Sequence, residues 1–476
     1  MLHIPLLRAG KPYVSLATRR LADVRTGEPV VEVSQANSGL IARDLAQSAA
    51  AQRRLAAHSV EELLAICRTA ADHLENSALP LGDGSQAPDE YISQTSATTG
   101  LPEALVRANL EKSSFVLREM ETVLGGLTRG LLPEILDRGF GDQEGRTVSY
   151  RRETDTLGAV LPSNSPGVHA LWLPAIPLKV TLALRPGRQE PWTPWRIAQA
   201  FIAAGCPPEA LGFYPSDHSG AGELLRRCGR ALLYGDTATV SQWRGDPRVQ
   251  IHGPGWSKVV LGADEAANWA EHQSLITESV AANGGRSCVN ASGVWTPGAS
   301  RELAAGLAEE FAAIEALPLD DPEARLAAMP SREAAQALSD YIDARLDGAE
   351  DMTAHHRDSR IAEVDGCTFM LPTVIHCTDP DHALARAEFL FPFVTVVEAP
   401  AAELVERIES SLVVTALTQD GELIDDLLGA SHVERLNIGP LATNRVAWDQ
   451  PHEGNLFELL YKQRSLQAAV ATSSAG

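Results

Sequence analysis

An α/β protein built from two doubly wound units, each a mostly parallel sheet covered by helices, is what the 476-residue sequence predicts. Three observations predict it. After Arg151 come short apolar runs, at residues 158–162, 180–184, 211–214, 231–234 and 259–261, each followed within a few residues by Gly, Pro, Ser or Asp, as buried parallel strands are. Helical segments lie between them, such as residues 195–204, which stop at Gly205 as a helix with a glycine past its last turn does. A second alternation follows Cys288, through residues 303–317, 334–346, 393–397 and 412–415.

The N-terminal third reads as helical. Residues 39–74 are rich in Ala, Leu, Glu and Arg, and Ser59-Val60-Glu61-Glu62 is a capping box, so two helices should meet near Ser59. Residues 101–124 carry Leu105, Val106, Leu110, Phe115, Val116 and Met120 at helical spacing, with Pro102 suited to the first turn; core packing accounts for this pattern. The short polar tail, residues 471–476, reads as frayed.

Composition excludes several classes of function. Sixty-two carboxylates against forty Lys and Arg give a formal net charge of -22, which repels nucleic acid and anionic membranes, yet leaves room for a dinucleotide held by local backbone N–H groups. The six cysteines, 67, 206, 228, 288, 367 and 377, show neither CxxC nor Cys/His spacing, so no metal site or disulfide framework is expected. No apolar stretch approaches the roughly 20 residues of a membrane span, and the N-terminus lacks a signal-peptide core. A soluble cytoplasmic protein with reduced thiols is the expectation.

Chemistry concentrates in four turns. Asn283-Gly-Gly-Arg286-Ser-Cys288-Val-Asn290 places a thiol in a loop of small and polar residues with a guanidinium close by, a setting that favours the reactive thiolate. In Pro162-Ser-Asn164-Ser-Pro166, which follows a strand, Asn164 either donates to a developing oxyanion or caps a helix. Arg185-Pro-Gly-Arg188 sets two guanidiniums after another strand, for phosphate recognition or as a solvated basic loop. Gly235-Asp236-Thr237 opens a third strand-to-helix turn that can present N–H groups to a pyrophosphate.

The order and spacing of these segments resemble the aldehyde dehydrogenase superfamily over nearly the whole chain. Its Asn-x-Gly-Gln-x-Cys loop appears as 283–288, departing at Arg286, and Asn164 matches its oxyanion asparagine. Glu388-Phe-Leu-Phe-Pro392 is similar to the Glu-x-Phe-Gly-Pro motif whose glutamate holds the nicotinamide ribose, although Leu390 and Phe391 depart from it. Gly235-Asp236-Thr237 resembles the helix start beneath the dinucleotide. Arg185 and Arg188 fall at the Lys and Glu of a Lys-Pro-x-Glu segment, which implies NAD or NADP with NADP favoured, since a cation replaces the carboxylate that engages the adenosine ribose.

The sharpest departure is His252-Gly-Pro-Gly-Trp-Ser-Lys258. Hydrolytic members have a water-activating glutamate here; this chain has none, and Gly-Pro-Gly is similar to CoA-acylating members, the acyl-CoA reductases. The resemblance therefore implies an NAD(P)-dependent oxidoreductase that interconverts an aldehyde and an acyl-CoA through a Cys288 thioester, with CoA as cosubstrate. A hydrolytic aldehyde dehydrogenase using His252 as the base is one alternative, and a non-catalytic scaffold is the other. The same resemblance implies a dinucleotide-binding domain (1–140 and 157–260), a catalytic domain (261–445), and an oligomerisation element (141–156 and 446–476) in which residues 455–461 add a strand, giving a homodimer or homotetramer.

Overall fold

The computed structural model describes residues 1–467, so the polar tail lies outside the described residues. Two seven-stranded sheets carry the architecture. In the first, the strands run in the order Val249–His252, Arg230–Tyr234, Thr156–Val160, Thr181–Arg185, Leu211–Phe213, all parallel, and two antiparallel N-terminal strands, Leu6–Arg8 and Lys11–Tyr13, close its edge. The chain winds outward from Thr156–Val160 in one direction and then the other. That leaves a topological switch point beside the turn carrying Asn164, where a doubly wound sheet opens its ligand crevice.

The second sheet runs Ala349–Asp351, Thr373–Cys377, Phe393–Glu398, Ala291–Thr296, Ser257–Leu261, Ser411–Leu417, Val433–Ile438, parallel except for its first strand. Alternate residues feed two cores: Val259, Leu261 and Val294 pack on one face, Val260 and Trp295 on the other. Burial on both faces is why these strands read as unbroken apolar runs. Ser257–Leu261 belongs to this sheet, so the boundary expected at 260 falls before the strand.

The N-terminal region forms three helices before residue 77, Ser38–Leu45, Ser48–Ala56 and Val60–Asn76, one more than expected. Ser59 and Glu62 make the reciprocal cap, with N–H to side-chain distances of 3.1 and 2.8 Å. Pro102 stands one residue outside the helix Glu103–Arg118 and not in its first turn. Residues 456–460 also differ from expectation. They form a helix capped by Asn455, and the added strand is Tyr461–Gln463, paired with Arg146–Arg152 in a three-stranded antiparallel sheet. No helix among the described residues is long and apolar enough to cross a membrane.

Candidate active site

The thiol loop joins the helix Trp269–Ala281 to the strand Ala291–Thr296. It turns through three successive left-handed residues, Asn283, Gly284 and Gly285, with φ of 52, 66 and 70°. A Cβ at 285 would come within 2.4 Å of the Phe391–Pro392 backbone, so that glycine is required by space as well as by φ. Asn283 holds its strained conformation with both ends of its amide: Nδ2 donates to Ser165 Oγ and Ser287 Oγ (2.9 and 3.1 Å), and Oδ1 accepts from Asn109 (2.8 Å). Asn290 closes the loop, accepting from Ser287 N–H and donating to the carbonyls of Ser279 and Ala282.

Arg286 does not face the thiol. Its guanidinium is buried and donates to the carbonyls of Thr99 (2.7 Å) and Ala328; burial pushes it down to about 10. The expectation of a neighbouring cation is therefore corrected in its identity, because the positive charges that reach Cys288 include Lys112 and Arg435. Lys112 arrives from the helix Glu103–Arg118, one face of which lines the site and does not merely pack in the core.

Residues 252–258 bring no carboxylate to the thiol, but a distant segment does. Cys288 Sγ donates to Glu453 Oε1 at 3.2 Å, and His252 Nδ1 lies 2.9 Å from Glu453 Oε2. Glu453 comes from the segment assigned by sequence to oligomerisation, in a left-handed conformation (φ 53°) before Gly454 (φ 91°). Burial works to raise its carboxyl, but the hydrogen bond from His252 and the nearby His452 outweigh it and hold Glu453 down at about 2. His452 Nδ1 in turn accepts from Arg435 (2.8 Å), and burial pushes it to about 4. The Cys288 thiol itself is held well above its ordinary range, by burial first and then by the Glu453 charge, with Lys112 pulling the other way. The resting site is a thiol beside an ionised carboxylate, a proton donor and acceptor in contact.

His252 stacks on Tyr234, ring centroids 4.4 Å apart and 11° from parallel. Its Nδ1 donates to Glu453, which leaves Nε2 as an acceptor, and that atom is buried without a partner. Gly253-Pro-Gly255 has a packing reason of its own: a Cβ at 255 would lie 1.8 Å from the Cys288 carbonyl oxygen, which also accepts from Ser257 Oγ.

Cys288 lines two cavities. One, of 390 Å³, is walled by Asn109, Lys112, Ser165, Trp448, His452 and Glu453; the other, of 290 Å³, by Asn164, Tyr234, Gly235, Asp236, His252 and Glu388. Asn164 Nδ2 donates to the Arg286 carbonyl at 2.6 Å and has a second N–H to give; Ser165, not Asn164, caps the following short helix. Glu388 accepts from the N–H groups of Gly255 (3.1 Å) and Trp256, while burial raises its carboxyl against those bonds. Asp236 caps the turn at Thr237, accepting from Thr239 N–H at 2.8 Å.

The carboxyl ends of the first sheet's strands fit a dinucleotide: Tyr234 and His252 line the second cavity, and Arg185 and Ser216 line a separate, smaller one. Arg185 Nε, Ser216 Oγ, Tyr234 Oη and His252 Nε2 are buried without partners, and all four sit at or just beyond the carboxyl ends of neighbouring parallel strands. Buried polar atoms are rarely left unpaired, and a row of them along the crevice matches a polar ligand that supplies the partners. Arg185 donates to the Ser216 carbonyl (3.0 Å); it, Arg188 and Arg19 form a guanidinium cluster in which burial and then mutual repulsion depress Arg185 and Arg19. Arg188 is exposed at its edge.

Sequence reasoning brought Cys288, Asn164, His252 and Glu388 to one place and missed Glu453, Lys112, Tyr234 and His452. The only trace of Glu453 in the sequence is a His-Glu-Gly triplet in a polar tail segment.

Comparison with known proteins places the chain in a family. Residues 17–412 match the model of the aldehyde dehydrogenase family. A Mycolicibacterium smegmatis protein that carries the name of an NADP-dependent succinate-semialdehyde dehydrogenase is 21% identical over 402 residues, 83% of this chain and 74% of that one. Aldehyde dehydrogenase 21 from Physcomitrella patens, solved with its reaction product succinate, superposes with a TM-score of 0.80 at 16% identity, covering 99% of both chains. The indole-3-acetaldehyde dehydrogenase AldA of P. syringae, in complex with NAD+, gives 0.79 at 17% identity over 98% of this chain and 96% of that one. By its family match, its two sheets and the thiol between its two cavities, the chain belongs to the aldehyde dehydrogenase family, and with it to the NAD(P)-dependent aldehyde oxidoreductases.

Proposed function

We propose that this protein oxidises an aldehyde to a carboxylic acid through a thioester on Cys288, with water as the acyl acceptor. One observation carries the reading: an ionised carboxylate, Glu453, within 3.2 Å of the thiol that lines both cavities. Glu453 takes the Cys288 proton as sulfur adds to the carbonyl carbon. The free N–H of Asn164 and the Cys288 backbone N–H hold the oxyanion. A bound nicotinamide supplies the hydride acceptor, and Glu388 is the residue that would position its ribose. Glu453 then releases the Cys288 proton to solvent; in deacylation the Glu453–His252 pair takes the proton of the attacking water, and the Cys288 thiolate leaves and is reprotonated by the same pair.

This stands ahead of CoA transfer, which the missing glutamate at residues 252–258 suggests, because Glu453 supplies a carboxylate from elsewhere in the chain. CoA transfer stays as a second reading on a specific observation, that no carboxylate comes from residues 252–258 themselves. Incubating aldehyde and dinucleotide with and without CoA separates the two. Acid formed without CoA supports hydrolysis; turnover strictly dependent on CoA, with acyl-CoA as product, rejects it. Loss of both, with no binding of NAD or NADPH, would leave a scaffold. The cluster of Arg19, Arg185 and Arg188 supports NADP over NAD, since guanidiniums pair with a 2'-phosphate. The sheet formed by Tyr461–Gln463, Arg146–Arg152 and Phe140–Gln143 is proposed as the oligomerisation element of a homodimer or homotetramer.

A further inference from the structure

Leu105, Ala108, Asn109 and Lys112 follow one face of the helix Glu103–Arg118, and all four line the larger cavity beside Cys288. Each has a different task there. Leu105 and Ala108 are apolar wall, Asn109 braces the thiol loop through Asn283, and Lys112 brings a cation. Among the described residues no carboxylate lies within ion-pair distance of its Nζ, which sits 5.7 Å from the Trp448 ring; a Cβ at Gly167 would be 3.5 Å from it. Glu453, whose charge reaches Lys112, already serves His252 and the thiol. Burial pushes the Lys112 ammonium down, against the attraction of Glu453 and Cys288. A half-buried cation without a carboxylate partner, facing a cavity, is placed to pair with an anionic ligand.

We propose that Lys112 is an anion-recognising residue of the substrate cavity, and that the preferred substrate is a short aldehyde bearing a carboxylate at its far end. The inference rests on the reading of Cys288 as the aldehyde nucleophile. At 390 Å³ the cavity is near the small end of ligand pockets, which suits a short chain. Arg445, exposed at the same cavity, adds a second cation. The protein's charge of -22 repels an anionic substrate at a distance, so its selection depends on such local cations.

The test compares the full-length wild type with Lys112→Met and Lys112→Arg on two aldehydes of equal length, an ω-oxo-carboxylate and the uncharged n-alkanal. The readout is the ratio of their kcat/KM values. Wild type should favour the acid; Lys112→Met should lower the ratio about tenfold or more, and Lys112→Arg should restore part of it. If Lys112 instead serves as a counter-charge to the thiolate, both substrates lose together, the ratio stays constant, and the proposal is overturned. Calorimetry with glutarate, an unreactive dicarboxylate, provides a readout independent of turnover. Lys112-dependent binding in an enzyme that oxidises neither aldehyde would overturn the functional reading and the substrate assignment while supporting anion recognition by Lys112, and absence of glutarate binding to wild type would overturn that recognition.

Discussion

The two sides of Cys288 are finished differently. On the thiol loop almost every polar group has a partner: Asn283, Arg286 and Asn290 together bind loop, helix and neighbouring backbone. Along the dinucleotide crevice four buried polar atoms have none. The proposed nucleophile is therefore preorganised by the protein alone, whereas the proposed cofactor side carries unmet hydrogen bonds that a ligand can fill. A site that must present sulfur to a carbonyl benefits from rigidity; a crevice that must take up and release a dinucleotide can leave part of its bonding to the ligand.

The hardest blow to this contrast is Cys288→Ala. Turnover should fall by on the order of 10⁴-fold or more, while dinucleotide at a hundred times its Kd still stabilises the variant by about 2.7 kcal/mol in denaturant titration. If the dinucleotide no longer stabilised it, the two sides would not be separable.

Glu453→Gln should lower kcat by roughly 10²-fold to 10³-fold, with a crossing effect on the thiol. The Glu453 charge raises Cys288, so removing it lowers the thiol's pKa. More thiolate is then present at neutral pH, and the iodoacetamide alkylation profile should move to lower pH even as turnover falls. An alkylation profile that does not move would remove Glu453 from the thiol's environment.

Arg286→Met probes the loop's frame without touching its chemistry. It leaves the Thr99 and Ala328 carbonyls unpaired and should cost about 2 kcal/mol in urea unfolding. The alkylation profile should stay close to that of wild type, because Arg286 is not among the charges acting on Cys288. The smallest effect is expected at the exposed end of the crevice. Arg188→Glu should shift the NADP to NAD preference roughly fivefold toward NAD, and an unchanged ratio would place 2'-phosphate recognition elsewhere.

Legibility followed the range of the interactions. The parallel strands were readable because burial on both faces writes a continuous apolar run into each, as at Val259, Val260 and Leu261. Cys288 and Asn164 were readable because each sits in a turn that glycines or prolines mark, whereas Glu388 was reached only through the family resemblance. Ser257–Leu261 read correctly as a strand but was assigned to the wrong sheet, since an apolar run does not name its neighbours. Residues 456–460 read as a strand because a short apolar run has no distinguishing period; the Asn455 cap decides for helix.

The sequence by itself determined the fold class and the family resemblance, and it pointed to Cys288 as the proposed nucleophile; all three depend on local patterns. Tertiary structure alone decided what surrounds the sulfur. Arg286, two residues from Cys288, turns away to bind carbonyls at Thr99 and Ala328, while Lys112 and Glu453 arrive from distant segments. The physical reason is that a charge acts through space and burial and not along the chain. A single left-handed residue, Glu453, carries into the site the carboxylate that the segment 252–258 lacks.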